Sequence, residues 1–110
     1  MWRADLARHT GLPYVYLMAE SPSFEWDDAK AESNVVKHGV QFAYAAGVYR
    51  DPEALDYDAT NLVDGEQRRK TVGSIEGRLF TVVYTIRGEA RRPISARPSN
   101  AKERRNYGHR

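Results

Sequence analysis

The chain contains no cysteine, so disulfides and thiolate chemistry are excluded and a reducing cytoplasm is compatible with it. Long apolar runs are also missing. None approaches the ~20 residues needed to span a bilayer, and the start lacks the apolar core of a secretion signal. A soluble, cytoplasmic protein without membrane contact is expected. Histidine is scarce and scattered, at His9, His38 and His109, which leaves no metal-ligand cluster. Neither a metal nor a cofactor is expected. No repeat or low-complexity tract occurs.

What the chain does hold is charge, and it is divided. Gln67 to Arg110 carries 12 basic and 3 acidic side chains for a net +9, whereas Met1 to Glu66 carries 5 basic and 12 acidic for −7. The whole-chain value of +2 conceals this. An arginine-rich half interrupted by Tyr84 and Tyr107 suits a polyanion such as RNA. The competing explanation is a solvated basic edge neutralised by the acidic half. With 110 residues and 41% hydrophobic content, the chain can build one small core and one domain.

Met1 to Ser23 has no sustained period and reads as a flexible extension outside the fold, with a small added strand as the alternative, leaving residues 24–110 as the domain. Phe24 to Trp26 alternates as a short strand. Asp27 is placed to cap a helix running to about His38, with Ala31, Asn34 and Val35 facing inward and Gly39 ending it. A second helix is predicted from Phe42 to Tyr49, stopped by Asp51-Pro52. A strand over Ala54 to Tyr57 and a polar loop over Asp58 to Gly65 follow. Three strands, Gln67 to Ile75, Arg78 to Ile86 and Glu89 to Arg97, are separated by Glu76-Gly77 and Arg87-Gly88, as in an antiparallel meander. Phe80, Val82, Tyr84 and Ile86 alternate with Leu79, Thr81, Val83 and Thr85, which marks a central strand with one strongly apolar face. Pro98 is expected to break the last strand. Asn100 with Glu103 has capping-box spacing for a terminal helix to about Tyr107. The class is α+β: two early helices and a terminal one packed on a curved antiparallel sheet.

Several islands then fall into one order. Phe24-Glu-Trp-Asp-Asp-Ala-Lys30, Asn34, Lys37-His38-Gly39-Val40-x-Phe42, Asp51-Pro52, Gly65-Glu66-x-Arg68, Gly77-Arg78, Val82-Val83-Tyr84-Thr85, Ile94-Ser95-Ala96-Arg97 and Glu103-Arg104-x-x-Tyr107 resemble the BrnT family of type II toxins. The resemblance implies a RelE-like fold and a bacterial ribonuclease that cleaves RNA and arrests translation. It also implies a BrnA antitoxin partner, whose ribbon-helix-helix domain binds operator DNA, so that DNA is reached only indirectly. Pro93 departs from the pattern, standing where an apolar β-former is usual. It removes a ladder donor and suits an edge strand or bulge.

Metal-free RNA cleavage, in which the 2′-hydroxyl attacks the adjacent phosphate, needs a base, an acid and a charge stabiliser. Arg68, Arg78 and Arg97 are the leading phosphate-binding candidates, provided that their side chains face the same way. For proton transfer His38 and Glu66 rank ahead of the tyrosines, because an imidazole titrates near neutrality and a phenol near pH ~10. His38 has an equally good explanation as a cation at a helix end, and Glu66 as the partner of an arginine. Tyr84 reads as core with its hydroxyl at a partner or cleft edge. Tyr107 could stack on a base or close the core. Arg87, Arg91 and Arg92, near a hairpin turn, could steer RNA or keep the tip soluble. Trp26 is assigned to packing, and Ser95, without a nucleophile elbow, to a strand hydroxyl. The rival from another class is a non-catalytic module that docks an antitoxin or acidic partner through the basic sheet. A repressor acting alone lacks a basic recognition helix.

Overall fold

A computed structural model describes residues 23–61 and 65–108. The order is β1 (Ser23–Phe24), α1 (Asp28–His38), α2 (Phe42–Ala45) running into a 3₁₀ turn (Ala46–Arg50), β2 (Leu55–Asp58), β3 (Arg69–Ile75), β4 (Arg78–Arg87), β5 (Ala90–Pro98) and α3 (Ala101–Gly108). The extension expected over Met1 to Ser23 lies outside the described residues except for Ser23, which opens β1. Among the described residues no helix is long and apolar enough to cross a membrane.

The sheet order is β1-β5-β4-β3-β2, with β4 in the middle. From β2 to β5 it is an antiparallel meander, but β1 runs parallel to β5 through Ser23↔Ala90 and Phe24↔Arg91. The sheet is therefore mixed, which corrects the expectation of a purely antiparallel one. Turn chemistry shows which neighbours form hairpins; it carries no information about which remote edge a two-residue strand will find.

Alternation along β4 divides the sheet into two faces. Phe80, Val82 and Tyr84 point to an inner face and close the core with Phe24, Trp26, Val40, Phe42, Ala45, Val48 and Ala96. Aromatic edges organise it: Trp26 meets Phe42 at 6.0 Å and Tyr49 meets Tyr84 at 5.7 Å, both edge-on. The second helix is shorter than its pattern suggests and tightens to 3₁₀ after Ala45. The turn is pressed onto β3: a Cβ at Gly73 would stand 2.8 Å from the Val48 carbonyl oxygen, and one at Gly47 would stand 3.3 Å from Ile75. Lateral closeness of this kind is invisible to a helical period.

Asp27 caps α1 by accepting from the Ala29 N–H, and Gly39 ends it in the left-handed region at φ 70°. The inward residue of α1 is polar. Asn34 is buried and its amide completes the open edge of β5: Oδ1 accepts from Ala96 N–H at 3.0 Å, and Nδ2 donates to the carbonyls of Ala96 at 2.8 Å and Val40 at 2.9 Å. Val35, expected inside, is exposed together with Val36, because the helix docks along the Asn34 stripe.

β5 does not stop before Pro98, which pairs with Phe80; Ser99 N–H then donates to Leu79 O. Its irregularity lies earlier. Val83 pairs with Ser95 but Tyr84 with Pro93, so Ile94 is the extra residue of a β-bulge beside the proline.

Asn34 replaces a strand neighbour with three hydrogen bonds. Asn34→Ala should lower stability by about 3 kcal/mol, since buried N–H and C=O groups lose their partners. Asn34→Asp should cost at least as much at neutral pH, because it buries an uncompensated carboxylate against the Ala96 and Val40 carbonyls. Chemical denaturation of the three proteins measures this.

Candidate functional site

The outer face holds the odd-numbered residues of β4 and their cross-strand partners, and cations gather on it. Lys70 pairs with Val83, Arg92 with Thr85 and Arg97 with Thr81, so all three share this side. They fall into two groups, about four residues or roughly 13 Å apart along β4.

The first group closes on Glu103. This carboxylate, 2% exposed, accepts two parallel bonds from the Arg97 guanidinium, both at 2.8 Å, one from Lys70 Nζ at 3.0 Å and one from Thr81 Oγ1 at 2.9 Å. It also accepts from Asn100 N–H at 2.8 Å, and Asn100 Oδ1 returns the bond by accepting from Glu103 N–H. The capping box read from the sequence is present, and its glutamate also binds strands β3, β4 and β5. Burial alone would push the Glu103 pKa up; the bonds from Arg97, Asn100, Lys70 and Thr81 more than offset this and hold it well below the usual carboxylate range. The Arg97 fork is thus already filled by an internal carboxylate.

The second group is open. Glu66, Arg87 and Arg92 line one shallow hollow of about 60 Å³ with Lys30, Thr85 and the Trp26 edge, against the bulge at Pro93 and Ile94. Glu66 stands 4.0 Å from Arg68 and 3.8 Å from Arg87, and Arg92 stands 3.7 Å from Glu25. Pairs this long add little to stability. The guanidiniums of Arg87 and Arg92 keep donors for an incoming anion, in contrast to Arg97.

The remaining candidates are placed elsewhere. Arg78 pairs with Ile75 and lies 5.2 Å from the Phe80 ring, so it belongs to the inner side of the hairpin and does not converge with Arg97. Tyr84 is 1% exposed, which leaves no ring face for a base. Its hydroxyl donates to Asp56. Asp56 also accepts from Thr71 and from Arg69 Nε, both at 2.6 Å; these bonds outweigh the upward effect of burial and lower its pKa. Tyr107 donates to Asp51 at 2.6 Å and ties α3 to the 3₁₀ end. Arg91 lies over the Tyr49 and Tyr84 rings, at 5.0 and 5.4 Å, on the inner face. His38 occupies the last turn of α1, two turns beyond Lys30 and hence roughly 12 Å from the hollow along the helix.

Sequence reasoning named Glu66, Arg68, Arg87 and Arg92 without grouping them, and it did not name Lys30, Lys70 or the wider reach of Glu103. A signal existed for Glu103. A capping-box glutamate preceded by a strand arginine and a strand lysine can serve both helix and sheet.

Glu103 predicts a pH response. Its folded pKa lies below the unfolded value near ~4.3, so its contribution is complete above that pH and is lost as pH falls through the folded pKa. Acid titration of stability should show this loss below about pH 4, and Glu103→Gln should flatten it. Arg97→Ala should cost about 3 kcal/mol at neutral pH, because it strips the main partner from a buried charge. Thermal melts at both pH values measure each.

The family model described as "Ribonuclease toxin, BrnT, of type II toxin-antitoxin system" matches residues 26–103, most of the chain and every element from α1 to the first turn of α3. A search of curated proteins returned no match. The matched span includes both cationic groups of the outer face and the hollow between α1 and the bulge, and on that span the chain belongs to the BrnT family of ribonuclease toxins of type II toxin–antitoxin systems.

Proposed function

We propose that RNA is cut at the outer-face hollow, with Glu66 as the base that removes the 2′-proton and Arg68, Arg87 and Arg92 around the phosphate. The single observation that carries this is the approach of a half-exposed carboxylate, Glu66, to Arg87 in one open hollow that Arg92 and Lys30 also line, with Arg68 4.0 Å from the same carboxylate. A carboxylate beside guanidiniums has the parts that the reaction needs: an acceptor for a hydroxyl proton and fixed positive charge where the phosphorane gains negative charge. Lys30, lining the same hollow, is the group placed to protonate the leaving 5′-oxygen. Arg97 and Lys70 support this face through Glu103 and do not touch the reacting atoms.

In this reading the enzyme needs no metal. The absence of cysteine favours that, as does the finding that among the described residues no three His, Cys, Asp or Glu side chains group to hold an ion. The toxin acts in the cytoplasm, stops translation by cutting RNA, and is silenced by a BrnA-like ribbon-helix-helix antitoxin. Operator DNA is contacted through that partner alone. Residues 24–110 act as the toxin unit, in a RelE-like arrangement of helices on a sheet.

A second reading has one observation in its favour. Because the Arg97 fork is filled by Glu103, the chain could be a degenerate toxin that binds an antitoxin or another acidic partner and cuts nothing.

Induction of the wild type, Glu66→Gln, Arg92→Ala and Arg97→Ala in cells, with total RNA followed by electrophoresis, separates these readings. Arrest with RNA loss is expected from the wild type. Glu66→Gln should lower the cleavage rate by about 100-fold or more without lowering Tm. If Glu66→Gln cuts as well as the wild type, the hollow is not the centre. Intact RNA and normal growth from soluble wild-type protein would establish the binding module instead.

A further inference from the structure

Between the hollow and the Glu103 group, the outer face carries a cross-strand row of which only Lys70 belongs to the Glu103 group. Tyr57, Lys70, Val83 and Ser95 stand opposite one another on β2, β3, β4 and β5, and all four are half-buried. The Lys70 ammonium lies 5.4 Å from the Tyr57 ring centroid, and the same ammonium is bonded to buried Glu103. The lysine is therefore held, and it holds the ring in turn. A tyrosine with two χ angles, already fixed by its neighbour, has little conformational entropy left to lose on contact with a ligand.

The other described tyrosines are differently placed. Tyr84 is buried, Tyr49 packs edge-on against it, Tyr107 is bonded to Asp51, and Tyr44 packs edge-on against Phe80 on the inner side. Tyr57 is thus the aromatic that shares the row of Lys70, Val83 and Ser95 on the basic face. From the middle of the hollow at Thr85 it is two strands across and two residues along, roughly 12 Å from strand spacings. That span suits a nucleotide neighbouring the one whose phosphate sits in the hollow.

We propose that Tyr57 is a substrate-positioning residue on which a base flanking the cleaved bond stacks, with Val83 extending the apolar floor. This rests on the reading of the hollow as the RNA-cleaving site. Stacking on a tyrosine tolerates every base, so the row fixes the strand without choosing a sequence. The side chain matters here as a π-surface, not as a hydroxyl.

Fluorescence anisotropy with a 2′-O-methyl RNA hexanucleotide, which lacks the attacking hydroxyl, tests this on the full chain. Tyr57→Leu should weaken binding about tenfold, and Tyr57→Phe should remain within about twofold of the wild type. A set of hexanucleotides with one abasic position each should show one position where the wild type loses the same factor and Tyr57→Leu loses nothing further. Equal binding by Tyr57→Leu and the wild type would overturn the assignment, as would a loss in Tyr57→Phe as large as in Tyr57→Leu. If Tyr57→Leu melts far below the wild type, the abasic series on the wild type decides alone, and the lack of any sensitive position overturns the proposal. Failure of the wild type to bind the hexanucleotide would instead overturn the RNA reading of the whole face.

Discussion

A buried carboxylate at the start of the last helix holds the outer face together. Glu103 lies out of water, where an unpaired charge would be prohibitively costly, so its position is tolerable only while Arg97, Lys70, Thr81 and the Asn100 N–H converge on it. These groups come from β5, β3, β4 and the helix cap. One ion therefore obliges three strands and α3 to keep their register. It also determines what kind of face remains, for the cations nearest α3 are held by short internal bonds and those at the far end only by longer ion pairs.

The division of labour between the faces follows from the pleat. Inner residues of β4 are large and apolar, and α1, α2 and the 3₁₀ turn cover them; outer residues include Thr81, Val83 and Thr85, which are small enough to leave a floor on which long basic side chains can stand. Asn34 performs on the β5 edge the task that Glu103 performs on the outer face. Each is a buried polar group with its partners supplied, and each joins a helix to the sheet with directional bonds that apolar packing cannot provide.

Much of this was legible in order and little of it in space. The alternation of Phe80, Val82 and Tyr84 revealed the central strand, and Asp27 and Gly39 marked both ends of α1, because these are local signals with local causes. The parallel β1 pairing, the 3₁₀ tightening over Gly73 and the outward Val35 were not legible, since each depends on what another segment brings near. Among the candidate site residues, identity was easier to read than grouping. Arg97 reads as a phosphate ligand because a guanidinium can bind two phosphate oxygens at once, yet the carboxylate that it binds lies six residues on, in a capping motif with a local role of its own. Arg78 was separated from Arg97 by parity along the sheet, a property that needs the register and not the sequence alone.

Parity also explains the departure at Pro93. Arg92 and Arg97 are five residues apart, so in a regular strand they would point to opposite faces. The extra residue at Ile94 restores them to the same side, pairing Arg92 with Thr85 and Arg97 with Thr81. A proline next to that bulge is tolerated because the ladder is already interrupted there, and its fixed φ limits the backbone at the point where the register must shift. The same residue lines the hollow, between Arg92 and the rest of β5. A proline that breaks the family pattern and weakens a regular strand is thus compatible with the face it borders. The convergence of Arg92 with Arg87 and Glu66 depends on β5 being irregular at this step.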